Sequence, residues 1–133
     1  MRKLLATAAL AAAVAACAPV YPPGPMPGGS VAGTNGRVVA INGRATPTIG
    51  QFFMNFVQVR FGAKFGCNGL GADYVQRGSI IDPGVVIATR MACPDMRYEY
   101  QGTTVLQQDM LATWSGRAAL RLSNRGGTID LRR

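Results

Sequence analysis

The chain has 133 residues, with 14 basic and 6 acidic side chains, three cysteines and no histidine. This length holds one small domain behind its N-terminal segments, not two. Without histidine there is no Ser-His-Asp or Cys-His catalysis, and the commonest transition-metal ligand is missing.

The first element is a leader over residues 1–16. Arg2 and Lys3 precede an apolar run from Leu4 to Ala16, and two charges, a short apolar core and small residues make an export signal. The run is shorter than the roughly 20 residues a membrane-spanning helix needs. Its end, Val14-Ala15-Ala16-Cys17, resembles the bacterial lipobox. That resemblance implies cleavage before Cys17 and lipidation of Cys17 with diacylglycerol and a palmitate-type acyl chain. Two or more acyl chains anchor a protein to a membrane almost irreversibly. Ala18 follows where an aspartate would resemble an inner-membrane retention signal, so the expected address is the periplasmic face of the outer membrane.

Residues 17–36 form a tether. Pro19, Pro22, Pro23, Gly24, Pro25, Pro27, Gly28 and Gly29 crowd into it, and such a stretch buries too little apolar surface to offset the entropy of ordering it. Its plain reading is a spacer, with the proline half extended and the glycine half flexible.

The domain spans 37–133 and reads mostly as strands. Val38 to Ile41 is a short strand closed by the tight-turn pair Asn42-Gly43. Phe52 to Phe56 is a second. In Val59 to Phe65, Val59, Phe61, Ala63 and Phe65 face one way while Arg60 and Lys64 face the other, the mark of a half-buried strand. Gly71 to Gln76 and Ser79 to Ile81 pair across Arg77-Gly78, and Val85 to Thr89 is another strand. A helix is expected from Pro94 to about Thr113, because proline suits a first turn and Asp95 and Glu99 suit the positive end of the helix dipole. Tyr98, Val105, Leu106, Met110 and Leu111 would form its apolar stripe. A terminal hairpin follows, with Ala118 to Leu122 and Thr128 to Leu131 joined through Asn124-Arg125-Gly126-Gly127.

Cys67 and Cys93 are too few for a zinc site and are not a CxxC pair. In an oxidising compartment the plain reading is a structural disulfide. Two buried free thiols and a redox-sensing pair stay open as alternatives. Asn68 suits a turn. Glu99 reads either as a buried carboxylate held by Arg90 or Arg97, or as a helix-dipole residue. Trp114 and the phenylalanines read as core. No catalytic, metal or cofactor site is expected. Without Arg2 and Lys3, 12 basic residues still face 6 acidic ones, but they are scattered along the sequence. That charge serves solubility or attracts an anionic lipid, an acidic envelope polymer or an envelope protein; nucleic acid is not a partner at this address.

Phe65-Gly66-Cys67-Asn68, Gly71 to Tyr74, Thr89-Arg90-Met91-Ala92-Cys93-Pro94 and Glu99, followed by a terminal hairpin, resemble the META domain, also called HslJ-like. The resemblance covers most of 37–133 and singles out Gly66, Asn68, Thr89, Met91, Ala92 and Glu99. It implies an α+β fold: a small, strongly curved antiparallel sheet with one main helix packed against it. It brings no catalytic residues. It implies a non-catalytic envelope module for binding or for stress and antibiotic tolerance. The alternative is a lipid-binding or pilotin-like chaperone that uses the concave face of the sheet.

Overall fold

The computed structural model describes residues 29–133. The leader, Cys17 and the tether up to residue 28 lie outside the described residues. In chain order the strands are β1 (Asn35–Ile41), β2 (Arg44–Ala45), β3 (Phe52–Phe56), β4 (Arg60–Phe65), β5 (Gly69–Arg77), β6 (Ile80–Pro83), β7 (Ile87–Ala88), β8 (Met110–Ser115), β9 (Ala119–Asn124) and β10 (Gly127–Arg132), with one helix, α1 (Arg97–Leu106), between β7 and β8.

Pairing runs β10-β9-β8-β6-β5-β4-β3-β1, and β1 also pairs with β10. The eight strands therefore close on themselves, with β2 attached to β1 and β7 to β5. The expected α+β fold, a small strongly curved sheet with one main helix packed against it, is corrected: the molecule is a closed antiparallel β-barrel, mostly β, with one short helix. The seam sets Arg37 opposite Arg132, Val38 opposite Leu131 and, after a bulge, Ile41 opposite Ile129. Closure leaves the ring no free edge.

Alternation decides what faces inward. Phe61, Ala63 and Phe65 of β4 are buried as expected, whereas Val59 lies before the strand and is exposed. Met54, Phe56, Ile81, Met110, Leu122 and Ile129 are among the side chains that fill the interior, as in small barrels whose lumen is packed rather than hollow. The Asn42-Gly43 turn is present, with both residues at positive φ (51° and 75°).

The helix is shorter than its apolar stripe suggests. It ends at Leu106, and Met110 and Leu111 belong to β8. The spacing of Leu106 and Met110 fits a helix, but barrel closure needs β8. Its residues Leu111 to Ser115 pair one by one with Ser123 to Ala119, and Ile80 and Ile81 pair with Leu111 and Met110 on its other side. Met110 and Ala112 then point inward and Leu111 outward. The strand expected over Val85 to Thr89 reduces to Ile87–Ala88. Packed structure also begins before Arg37, since Val31 and Thr34 are buried and β1 opens at Asn35.

The two mouths of the barrel are closed differently. Helix α1 covers one. Gly102 lies against Phe65 so closely that an added Cβ would overlap the ring. Tyr98 packs edge-on to Phe52 at 5.4 Å and donates its hydroxyl to the Ala45 carbonyl at 2.7 Å. Asn124 Nδ2 donates to the Val105 carbonyl near the helix end at 2.8 Å. Residues 29–34 cover the other mouth and are described below.

Candidate functional site

The motif residues converge where β4 turns into β5. Cys67 and Cys93 form a disulfide with their Cα atoms 6.2 Å apart. The bond ties that turn to the segment entering α1. Gly66 makes the turn possible: its φ is +101°, and a Cβ would come within 3.0 Å of the Phe52 ring. No other residue type combines that conformation with that clearance.

Asn68, 2% exposed, is the hub. Its backbone N–H donates to Glu99 Oε2 and its Nδ2 donates to Glu99 Oε1, both at 2.8 Å. Nδ2 also donates to the Met91 carbonyl at 3.2 Å. Its Oδ1 accepts from the Met91 N–H at 2.6 Å and from Thr89 Oγ1 at 3.0 Å. Thr89 Oγ1 in turn accepts from the Gly69 N–H at 3.1 Å. One amide thus fastens three segments together: its own turn, the strip 89–91 and α1. The donors and acceptors are complementary, and a buried network is stabilising only when every member is satisfied. No buried side-chain nitrogen or oxygen among the described residues lacks a partner.

The expected residues therefore meet, with altered roles. Asn68 does more than shape its turn. Glu99 is buried as the first of its two readings held, but Asn68 holds it, not Arg90 or Arg97. Arg97 instead pairs with Asp95 at 3.1 Å, and hydrogen bonds from its side chain and then its backbone N–H keep the Asp95 carboxyl below its ordinary range. Met91 acts through its backbone, since its side chain is 54% exposed. Ala92 is exposed, and nothing in the structure explains it. Within the hub Asn68 and Glu99 are buried with their side chains paired to each other and to the strip 89–91, while Thr89 lies at the exposed edge. Among the described residues no three His, Cys, Asp or Glu side chains are placed to hold a metal ion.

Sequence reasoning missed the brace at the opposite mouth. The Gly29 carbonyl accepts from Gln76 Nε2 at 3.0 Å and from Trp114 Nε1 at 3.4 Å. The Val31 N–H donates to Gln76 Oε1, and Val31 is fully buried. The Gly33 N–H donates to the Phe56 carbonyl and the Phe56 N–H to the Thr34 carbonyl. Trp114, read as core, is only half-buried, with the Arg133 guanidinium 4.9 Å from its ring centre. Nothing local links Gly29 to residues 76, 114 and 133. The concave face that the alternative reading, a lipid-binding or pilotin-like chaperone, would use is the filled interior of the ring.

These features define a class: a small closed β-barrel, braced at one mouth by a disulfide and a buried polar hub. The chain belongs to the META domain family, whose model matches residues 30–133. Two solved structures share the fold. One, an NMR structure of a protein from Burkholderia xenovorans, is 18% identical with a TM-score of 0.62, over 77% of this chain and 83% of that one. The other, also an NMR structure, is 14% identical with a TM-score of 0.64, over 74% of this chain and 86% of that one. No curated protein matches the chain.

Proposed function

We propose that this protein is a non-catalytic module of the cell envelope, held by a lipidated Cys17 at the periplasmic face of the outer membrane, where it serves stress or antibiotic tolerance by binding another envelope component. One observation carries the non-catalytic reading: the motif residues spend their hydrogen-bonding capacity on one another. A catalytic group needs an atom that can reach a reacting centre, and Asn68 and Glu99 are buried, with both carboxylate oxygens of Glu99 held by Asn68. The address rests on the leader and on Val14-Ala15-Ala16-Cys17. The Cys67–Cys93 disulfide agrees with an oxidising compartment.

The test has two arms. Cells fed a palmitate analogue should label the wild-type chain but not Cys17→Ser, and only the wild type should stay with outer membranes through a high-salt wash. Crosslinking in intact envelopes should then capture a defined partner. Soluble, unlabelled wild-type protein would remove the anchor. Turnover of an envelope substrate that vanished with Glu99→Gln would remove the non-catalytic reading.

A further inference from the structure

The scattered basic residues of the sequence are gathered by the fold. Strand register sets Lys64 opposite Phe53, Phe53 opposite Arg37, and Arg37 opposite Arg132, across four neighbouring strands. Residues paired in this way share one face of a sheet. Arg37 and Arg132 are exposed, and Phe53 is 41% exposed between Lys64 and Arg37. Arg37, Arg132, Arg133 and Phe53 line one open groove of about 570 Å³ on the outer wall. The ion pairs among the described residues use Arg60, Arg77, Arg97 and Arg121. None engages Lys64, Arg37, Arg132 or Arg133, so the strip carries uncompensated positive charge around an exposed aromatic ring.

A second observation is where the chain enters the barrel. Gly29 is held by Trp114, and Trp114 lies under Arg133, at the end of the strip. Cys17 is twelve positions before Gly29 in the sequence. At the maximum rise of an extended chain, that is a reach of about 40 Å. An acyl anchor at Cys17 would keep this wall of the barrel close to a membrane.

We propose that the strip Lys64–Phe53–Arg37–Arg132, with Arg133, docks the barrel on an anionic phospholipid surface. The arginines meet headgroup phosphates and Phe53 enters the acyl boundary. The proposal deepens the anchored reading and rests on it for the direction of approach. A membrane fits better than a small anion. Strands lie about 4.8 Å apart, so four of them spread the strip over roughly 14 Å, longer than one phosphate. Each basic side chain near such a surface raises affinity roughly fivefold. The tether presents this wall repeatedly, while the covalent anchor alone leaves the orientation of the barrel free.

The test uses the chain from residue 17 onward carrying Cys17→Ser, which keeps every described residue of the barrel and lacks acyl chains. It should sediment with phosphatidylglycerol-containing vesicles, not with phosphatidylcholine vesicles, and added salt should release it. R37E/R132E should weaken binding about tenfold or more, while R90E/R125E, an equal charge change outside the groove, should stay within about twofold. If R37E/R132E loses the native circular dichroism spectrum, R37Q/R132Q takes its place. No preference for anionic vesicles, or equal losses from the two double variants, overturns the proposal. So does release by inorganic phosphate beyond that of chloride at matched ionic strength, which would mark a small-anion site. If the strip fails while Cys17 is still labelled in cells, the anchor survives without the docking face. Vesicle binding without labelling removes the anchor alone.

Discussion

The two mouths of this barrel solve one problem with different chemistry. A barrel open at either end would wet its core, so each mouth needs a cover. At the α1 mouth the cover is fixed by a covalent bond and by a buried amide–carboxylate pair. At the other, residues 29–34 are fixed by one buried valine, by two hydrogen bonds with Gln76, one donated to Gly29 and one accepted from Val31, and by a tryptophan beneath an arginine. The first is specific and locally encoded. The second is made of contacts that many sequences could supply. The difference teaches that the motif residues of this chain build a brace, joining the β4–β5 turn, the strip 89–91 and α1.

Breaking the α1 mouth should cost most. Loss of the disulfide in the double variant Cys67→Ala/Cys93→Ala frees a loop of 26 residues. By chain entropy that removes about 3.5 kcal/mol of stability, read as a lower urea midpoint. Reductant should reproduce the loss in the wild type and leave the variant unchanged. Glu99→Ala strands the Asn68 N–H and one of the two Nδ2 hydrogens, the other still reaching the Met91 carbonyl, and should cost about 2–3 kcal/mol. Glu99→Gln should cost less, because one amide oxygen still accepts while its NH₂ faces a donor. If Glu99→Ala is neutral, the hub is not a brace.

The opposite mouth sharpens the contrast at smaller scale. Trp114→Ala should cost about 2 kcal/mol, below the usual range for a buried tryptophan because the ring is half-buried. Arg133→Ala should cost about 0.5–1 kcal/mol through the lost cation–π contact. Combined with Glu99→Ala, Trp114→Ala should be additive within about 0.5 kcal/mol, as expected of separate sites. A larger coupling would mean that the two covers act as one.

The smallest effect is a pH dependence. Tyr74 packs edge-on to Phe56 and donates its hydroxyl to the Val57 carbonyl. Burial raises its phenol above the ordinary 10.0. The unfolded chain therefore ionises this residue first. The stability tied to it is intact below about 10 and is lost as the pH rises through the folded value. Tyr74→Phe should accordingly show a shallower alkaline fall in thermal midpoint than the wild type. An unchanged slope would remove Tyr74 as its source.

Much of this was legible in the sequence, for physical reasons that also explain the rest. Alternation in Phe61, Ala63 and Phe65 reports burial directly, because side chains in a strand switch faces at every residue. Asn42-Gly43 reports its turn because few other residues adopt positive φ. Strand partners are not encoded this way, so the β1–β10 seam and the gathering of Arg37, Arg132 and Lys64 stayed invisible. The end of α1 is not legible locally, because Leu106 and Met110 fit a helix while the demand for β8 comes from β6 and β9. Arg90 and Arg97 stand near Glu99 in sequence, but its partner lies 31 residues back at Asn68.

The seam between β1 and β10 has a consequence for how the molecule comes into being. It joins residues far apart in the chain, from Ile41 with Ile129 to Arg37 with Arg132. Such distant pairings are slow, because the chain loses entropy before the contact repays it. A polypeptide emerging N-terminus first can zip its middle hairpins early, yet β1 must wait for the final strand to arrive. Until then the nascent sheet has two raw borders open to neighbouring chains, and its vulnerable interval lasts until Gly127–Arg132 arrive.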